Sequence, residues 1–188
     1  MSEFLARLGE YLPAEIAREL GFEYRGCILA TRTAIEVCSY FGVPAEPFPV
    51  RVLLYNEPYG RNVDRYRAQL LAGEEIQLGP EEHSVGIGFG KRDRSQPGWD
   101  GHLILISDGA FADYSIQQAE RTHRGIHTGP WIVGPYHGGD CWTASHRGTT
   151  LEYQETDNFR YRMAPDWHDP SRIRRVAGRL IRQMRAEP

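Results

Sequence analysis

The sequence predicts an α+β fold in which an antiparallel β-sheet packs against a helix that begins at a cysteine, with an amphipathic helix at the C-terminal end. Residues 102–115 form two apolar runs joined by Asp108-Gly109, the strongest short-range signal for a β-hairpin. Residues 27–41 contain no glycine or proline and precede a Gly-Val-Pro stop, which is typical of a helix. Asp169-Pro170 then opens a segment with apolar residues at helical spacing.

The predicted hairpin brings a histidine close to an aspartate. With the turn at Asp108-Gly109, Ile104 pairs with Asp113, and alternation places His102 and Asp113 on one side as diagonal neighbours, roughly 7–8 Å apart at the backbone. A carboxylate that accepts a hydrogen bond from one ring nitrogen fixes the imidazole tautomer and leaves the other nitrogen free to act as a base. The hairpin therefore predicts a base and the carboxylate that orients it.

The chain length predicts a single domain over residues 1–188. A domain of this size can bury a sizeable hydrophobic core without needing disulfide bonds or a structural metal ion. Within it we expect a catalytic-type core over about residues 22–115. An insertion helix is expected at about residues 60–75. A C-terminal hairpin about Asp157-Asn158, followed by a helix, is expected over residues 150–188.

Several further elements are predicted from local signals. We expect one or two short helices over residues 3–20, broken near Pro13, because proline removes a helical hydrogen bond. Residues 85–91 alternate apolar residues with glycine and predict a strand, since neither phosphate-binding glycine motif is met. Ser115 stands three residues before Gln118, a capping-box spacing that predicts a helix N-cap rather than a catalytic hydroxyl.

Charge and composition limit the partners that we expect. The formal net charge of -3 gives no general attraction to nucleic acid or to an anionic membrane. No stretch approaches the ~20 apolar residues that span a bilayer, and the first residues do not resemble a signal peptide. The chain has 3 cysteines, an odd number without framework spacing, which is typical of a reducing compartment. We therefore expect a cytoplasmic protein whose cysteines are thiols.

Two of these cysteines lie on the same predicted helix. Cys38 falls on its apolar stripe and is expected to be a small buried hydrophobe. Cys27 lies on the same stripe but in the first turn, where the helix dipole favours a thiolate. Cys27 is therefore the best-placed nucleophile.

The order of helix-borne Cys27, strand-borne His102 and strand-borne Asp113 resembles that of the papain-like and transglutaminase-like cysteine enzymes. Within that superfamily, Arg25-Gly26-Cys27 and His102-Leu103-Ile104-Leu105 with Asp113 are similar to the active-site motifs of arylamine N-acetyltransferases. The resemblance implies a papain-like or transglutaminase-like core. It also implies Cys27 as nucleophile, His102 as general base and acid, and Asp113 as the residue that orients the imidazole.

The expected function is thiol-dependent acyl transfer through a thioester, as in a peptidase, an amidase, a transglutaminase-like enzyme or an acyltransferase. The backbone N–H of Cys27 at the helix start is a natural oxyanion donor. Trp99, just before the hairpin, is a candidate substrate-binding wall. The expected partner is a small-molecule or peptide acyl substrate, with no cofactor and no metal, and the sequence predicts no oligomeric state.

A second cysteine competes for the role of nucleophile. Residues 139–145 are superficially similar to the Gly-Ser-Cys-Trp-Ala run of papain-like peptidases, which would select Cys141. Gly148 follows too soon for a long helix, and too little chain remains for a histidine- and asparagine-bearing sheet downstream. We therefore favour Cys27.

Two further functions remain as alternatives. The first is a catalytically inactive binding or assembly module on the same fold, which would use the arginine face of the last helix and the His- and Gly-rich residues 122–148 as contact surfaces. Such an arginine face is more often simply solvated, and nucleic acid is not favoured. The second is a zinc hydrolase that uses His102 and loop histidines, although those histidines lack zinc-site spacing.

Overall fold

The computed structural model describes residues 2–21, 26–89 and 99–186, and it is an α+β structure with an antiparallel sheet and a C-terminal helix. The α-helices are α1 (Ser2–Leu20), α2 (Cys27–Tyr40), α3 (Glu57–Gly60), α4 (Val63–Leu71) and α5 (Pro170–Ala186). The strands are β1 (Glu46–Asn56), β2 (Ser84–Ile87), β3 (His102–Ser107), β4 (Ala110–Asp113), β5 (Ile132–Pro135), β6 (Cys141–His146) and β7 (Thr149–Glu155).

The sheet is organised around the long strand β1. Its order is β5-β4-β3-β1-β7-β6, and every pairing is antiparallel. One edge of β1 pairs first with β3 and then with β2, while the other edge pairs with β7. The β3–β4 hairpin thus lies inside the sheet, which is why all of its strand residues are buried.

The predicted hairpin at Asp108-Gly109 is present. Ser107 pairs with Ala110 and Ile106 with Phe111, as the two-residue turn requires. Asp108 has φ 42° and Gly109 has φ 74°, the two positive angles of a type I′ turn. The turn therefore sets the register that brings His102 toward Asp113.

Helix α2 begins at Cys27, as predicted, and ends at Tyr40, just before Gly42 of the predicted Gly-Val-Pro stop. The Val43 N–H donates to the Cys38 carbonyl at 2.8 Å across Gly42, whose φ is 71°. At the other end, a Cβ on Gly26 would lie 2.9 Å from atoms of Ile16 and Leu20. A side chain at position 26 would therefore push α1 away from the start of α2.

Helix α1 is continuous, so the predicted break near Pro13 is wrong. Proline inside a helix costs about 3 kcal/mol. The leucine and isoleucine side chains of the apolar face are buried, and each contributes about 1.5–3 kcal/mol. These residues are Leu5, Leu8, Leu12 and Ile16. Their burial against the sheet and α5 outweighs the cost of Pro13.

The predicted C-terminal hairpin about Asp157-Asn158 is also wrong. Residues 159–163 form a 3-10 helix instead of a strand, and Asn158 caps it by accepting from the Arg160 N–H at 3.3 Å. Strand β7 finds its partners earlier in the chain, in β6 and β1. The residues after β7 therefore lie outside the sheet and pack near the start of α2.

The arginine face of α5 is only partly solvated. Arg172 and Arg175 bind Glu19 of α1, and Arg179 donates to both Glu15 and Glu19. The prediction of a solvated face was wrong for Arg172 and Arg179, which are partly buried opposite two carboxylates of α1, whereas Arg175 is exposed as predicted although it pairs with Glu19. In the described residues, no helix is long and apolar enough to cross a membrane.

Candidate active site

The fold brings together Cys27, His102 and Asp113, the three residues that the sequence predicts as a site. The His102 Nε2 lies 2.7 Å from the Asp113 Oδ2 in the β3–β4 hairpin. Cys27, at the start of α2, lies close enough to the same imidazole to contribute to raising its pKa. His102 and Asp113 are fully buried and Cys27 is 8% exposed, so water has little access to the cluster. An imidazole between a thiol and a carboxylate is suited to moving a proton onto and off the sulfur.

Asp113 is held by donors from three directions. Besides His102, its Oδ2 accepts from the Tyr153 hydroxyl at 3.2 Å, and its Oδ1 accepts from the Ser115 N–H at 3.1 Å. The Ser115 hydroxyl lies 3.4 Å from Oδ1. Ser115 stands at the predicted N-cap position, of a 3-10 helix, but its side chain makes no capping hydrogen bond there. Its contacts go to Asp113 instead.

The environment of His102 favours its protonated form. Burial opposes the charge, but the attraction of Asp113, the hydrogen bond to it and the contact with Cys27 outweigh burial. Together they raise the pKa of His102 to about 10. An imidazolium held next to a thiol favours the thiolate, which is the nucleophilic form of cysteine.

Helix α2 fixes the position of Cys27. The cysteine is the first helical residue, and its backbone N–H belongs to the first turn, whose N–H groups have no acceptor within the helix. The Thr31 hydroxyl, one turn further on, donates to the Leu103 carbonyl at 2.9 Å and ties α2 to the strand that carries His102. The thiol and the imidazole are thus aligned by two regular elements, not by loops.

Gln118 is a site residue that the sequence reasoning missed as such. Its side-chain Nε2 lies 3.0 Å from the His102 Nδ1, the ring nitrogen that Asp113 does not bind. Gln118 was considered only as part of a capping box. The available signal was its position five residues after Asp113 on a short helix, which returns its side chain to the hairpin.

Trp99 packs against a small cluster that contains Cys27, Leu103 and Tyr161. Its ring lies 5.6 Å from the Tyr161 ring, and its Nε1 donates to the Asn158 carbonyl at 3.1 Å. Tyr161 also contacts Trp167, at 4.9 Å between ring centroids. The chain thus places an aromatic wall on the cysteine side of the site.

A small cavity of about 70 Å³ adjoins the opposite side. Gly26, Ser115 and Gln118 contribute to its lining, together with apolar residues of α1 and with Tyr114 and Pro130. Gln118, one of its lining residues, contacts the His102 imidazole. The cavity is large enough for a few atoms of a bound group or for water.

The other two cysteines lie in environments that suppress the thiolate. Cys38 is fully buried, and burial raises its pKa to about 12. Cys141 is exposed on strand β6, and partial burial of its sulfur with the charge of Glu152 raises its pKa. These placements disfavour Cys141 as the nucleophile.

Some sequence predictions fall outside the described residues or find no support there. Arg25 of the predicted motif, and Gly90 and Lys91 of the predicted strand, lie outside the described residues. Among the residues that are described, no group of three or more His, Cys, Asp or Glu side chains is placed to hold a metal ion.

Comparison with protein-family models, with curated proteins and with solved structures gave no match for this chain.

Proposed function

We propose that this protein is a thiol-dependent acyl-transfer enzyme with a papain-like or transglutaminase-like core. The observation that carries the proposal is the buried His102–Asp113 pair, with 2.7 Å between Nε2 and Oδ2, beside which Cys27 lies close enough to raise the pKa of the imidazole. In this function the Cys27 thiolate attacks the carbonyl carbon of an acyl donor. The leaving group takes its proton from His102, and a thioester remains on the sulfur.

The remaining steps use the same groups. The backbone N–H of Cys27 at the start of α2 stabilises the oxyanion. Water or an amine then attacks the thioester, His102 accepts its proton, and Cys27 leaves as the thiolate, which restores the starting ion pair. Trp99 and Tyr161 form one wall for the acyl group. The substrate is a small-molecule or peptide acyl donor, which reaches a sulfur-bearing side chain that is 8% exposed.

Alkylation with iodoacetamide at pH 6, followed by peptide mass spectrometry, tests the nucleophile. At pH 6, well under 1% of an ordinary cysteine thiol is present as thiolate. A cysteine that is paired with an imidazolium is present largely as thiolate. We expect Cys27 to react more than tenfold faster in the native chain than in urea. Cys141 is the internal control, because it is exposed but has a raised pKa.

Two histidine variants separate the effect of the His102 imidazole on Cys27 reactivity from general effects on folding. His102→Ala should reduce the rate of Cys27 alkylation at pH 6 by more than tenfold, while His137→Ala, at an exposed histidine, should leave it unchanged. A small activated acyl ester should add one acyl group to the wild-type chain and none to Cys27→Ser. The proposal fails if native Cys27 reacts no faster than in urea or if His102→Ala has no effect.

A further inference from the structure

Both ring nitrogens of His102 have partners, so neither of them is open to a reacting molecule. The His102 Nε2 lies 2.7 Å from the Asp113 Oδ2, and the Nδ1 lies 3.0 Å from the Gln118 Nε2. When the neutral imidazole donates from Nε2 to the carboxylate, Nδ1 carries the single lone pair of the ring that can accept a proton. The Gln118 carboxamide covers that lone pair.

The place next to Nδ1 is where the reacting molecules have to stand. A general base lies about 2.6–3.2 Å from the group that it deprotonates. Because Asp113 occupies Nε2, every proton that His102 exchanges with Cys27, with the leaving group or with the attacking nucleophile passes through Nδ1. The Gln118 amide fills this place at 3.0 Å, so a water molecule cannot stand there at the same time. The observed arrangement is therefore a closed state of the site.

The Gln118 side chain can leave this place while its backbone stays fixed. The Arg121 Nη1 donates to the Gln118 carbonyl at 3.1 Å, which anchors the main chain. Within the described part of the chain, the carboxamide makes no hydrogen bond other than the one to His102. The side chain is partly exposed and borders both the small cavity beside Gly26 and an open, polar groove along residues 117–123. Both spaces can receive the carboxamide when it moves.

We propose that Gln118 is a gate over His102 that keeps water from Nδ1 while Cys27 carries an acyl group, so that the site transfers this group to an amine rather than to water. The role rests on the proposed acyl-transfer function, and within that function it selects transfer over hydrolysis. The amine enters by the groove along residues 117–123, whose polar side chains include the carboxylate of Glu120.

The transfer step follows from the opened gate. The amine displaces the Gln118 carboxamide, and its nitrogen attacks the carbonyl carbon of the thioester. One N–H proton passes to the His102 Nδ1, the carbon–sulfur bond breaks, and Cys27 leaves as the thiolate. The product is an amide. Exclusion of water from a reactive intermediate until the acceptor is bound is a known way to suppress hydrolysis.

The lifetime of the acyl-enzyme tests the gate. With para-nitrophenyl acetate, the nitrophenolate departs without needing a proton, so the closed gate does not prevent acylation of Cys27. Hydrolysis of the thioester does need water at Nδ1, and intact-protein mass spectrometry follows it after the ester is removed. Gln118→Ala should shorten the lifetime by about three- to tenfold, the factor that one neutral hydrogen bond contributes. Gln117→Ala, at the exposed neighbour, is the matched control and should keep the wild-type lifetime.

A second variant separates the gate from a structural or positioning role. Gln118→Asn keeps the amide but is shorter by one methylene group, so it should no longer reach Nδ1 and should shorten the lifetime as Gln118→Ala does. A residue that positioned the imidazole would have the opposite effect, because a displaced base slows hydrolysis. Lifetimes in both Gln118 variants that are equal to that of Gln117→Ala, or longer, would overturn the gate.

The acceptor is tested with glycinamide, a small primary amine. The ratio of N-acetylglycinamide to acetate formed from the acyl-enzyme should be about three- to tenfold lower in Gln118→Ala than in the wild-type chain, because water then reaches Nδ1 freely. An equal ratio in the two chains would overturn the selection of transfer over hydrolysis.

The gate and the proposed function fail in different ways. If the wild-type chain takes up no more acetyl group than Cys27→Ser, acyl transfer is refuted and the gate with it. If Cys27 is acetylated but its thioester has the same lifetime in the wild-type, Gln118→Ala and Gln118→Asn chains, the gate alone is refuted.

Discussion

Asp113 is an ionisable group with no exposed surface, and its neighbours explain how the fold tolerates it. An isolated buried carboxylate is very costly, so such groups are paired and hydrogen-bonded. Asp113 accepts from the Tyr153 hydroxyl and the Ser115 N–H while it faces the His102 ring. The carboxylate therefore combines an orienting contact to the imidazole with hydrogen-bond partners for both of its oxygens.

Removal of the Tyr153 hydroxyl tests this description. Tyr153→Phe should lower the free energy of unfolding by about 1.5–3 kcal/mol, the usual value for a hydrogen bond to a charged group. Tyr114→Phe is the matched control, because that buried hydroxyl donates at 3.0 Å to a neutral acceptor, the Leu5 carbonyl. Tyr114→Phe should lower the free energy of unfolding by about 0.5–1.5 kcal/mol. Urea unfolding checks both, and a Tyr153→Phe cost no larger than that of Tyr114→Phe would contradict a stabilising role for the Tyr153–Asp113 hydrogen bond.

The predictability of the site residues depends on how local their contacts are. His102 and Asp113 could be paired from sequence, because a two-residue turn fixes the register of the strands that carry them. The contact of Tyr153 with Asp113 could not be predicted from the sequence, because it depends on the order of strands β4, β3, β1 and β7 in the sheet. That order depends on long-range pairing, for which the sequence carries no local signal.

At the scale of elements, α5 is held to α1 by charge as well as by its apolar face. Glu15 is only 3% exposed, and it accepts from the Arg179 Nε at 2.6 Å and from the Arg18 Nη1 at 2.9 Å. A partly buried carboxylate that loses a donor is left with an uncompensated cost. These contacts occupy arginines that a binding module would otherwise offer to a partner.

Arg179→Met should therefore destabilise the fold by about 1.5–3 kcal/mol, because Glu15 loses a charged donor. Arg182→Met, at an exposed position of the same helix, should change the free energy of unfolding by no more than about 0.5 kcal/mol. Combining Arg179→Met with Glu15→Leu should recover much of the loss, since no carboxylate then remains unpaired. Equal effects of the two arginine variants would show that the Glu15 contact does not stabilise the docking of α5.

The errors of sequence prediction at this scale have a common physical cause. Pro13 signals a break, yet α1 continues because packing of its leucines outweighs a local cost. Residues 159–163 alternate like a strand, yet they form a 3-10 helix because β1 and β6 already occupy both edges of β7. Helix α2 was predicted well because its start and its stop are both local signals.

For the molecule as a whole, burial shifts the pKa values of one cysteine and two tyrosines in the same direction. Burial raises the pKa of Cys38 to about 12 and raises the pKa values of Tyr114 and Tyr153 well above their usual range. Each group therefore keeps its proton in the folded chain at a pH where the unfolded chain has lost it. Such a group contributes stability that is complete below its unfolded pKa and is lost as pH rises toward its folded pKa.

The free energy of unfolding should accordingly fall in three stages as pH rises. Above pH 6.5 the unfolded chain releases the proton that folded His102 keeps up to about pH 10, which contributes a slope of up to about 1.4 kcal/mol per pH unit. Above pH 9.0, the ordinary value for the thiol, Cys38 should steepen the decline, and above pH 10.0 the two tyrosines should steepen it further. Urea unfolding at intervals from pH 6 to pH 11 measures the three stages. Cys38→Ala should remove the additional slope that begins near pH 9 and leave the others, whereas a wild-type stability that stays constant from pH 7 to pH 11 would contradict the protonated state of these groups.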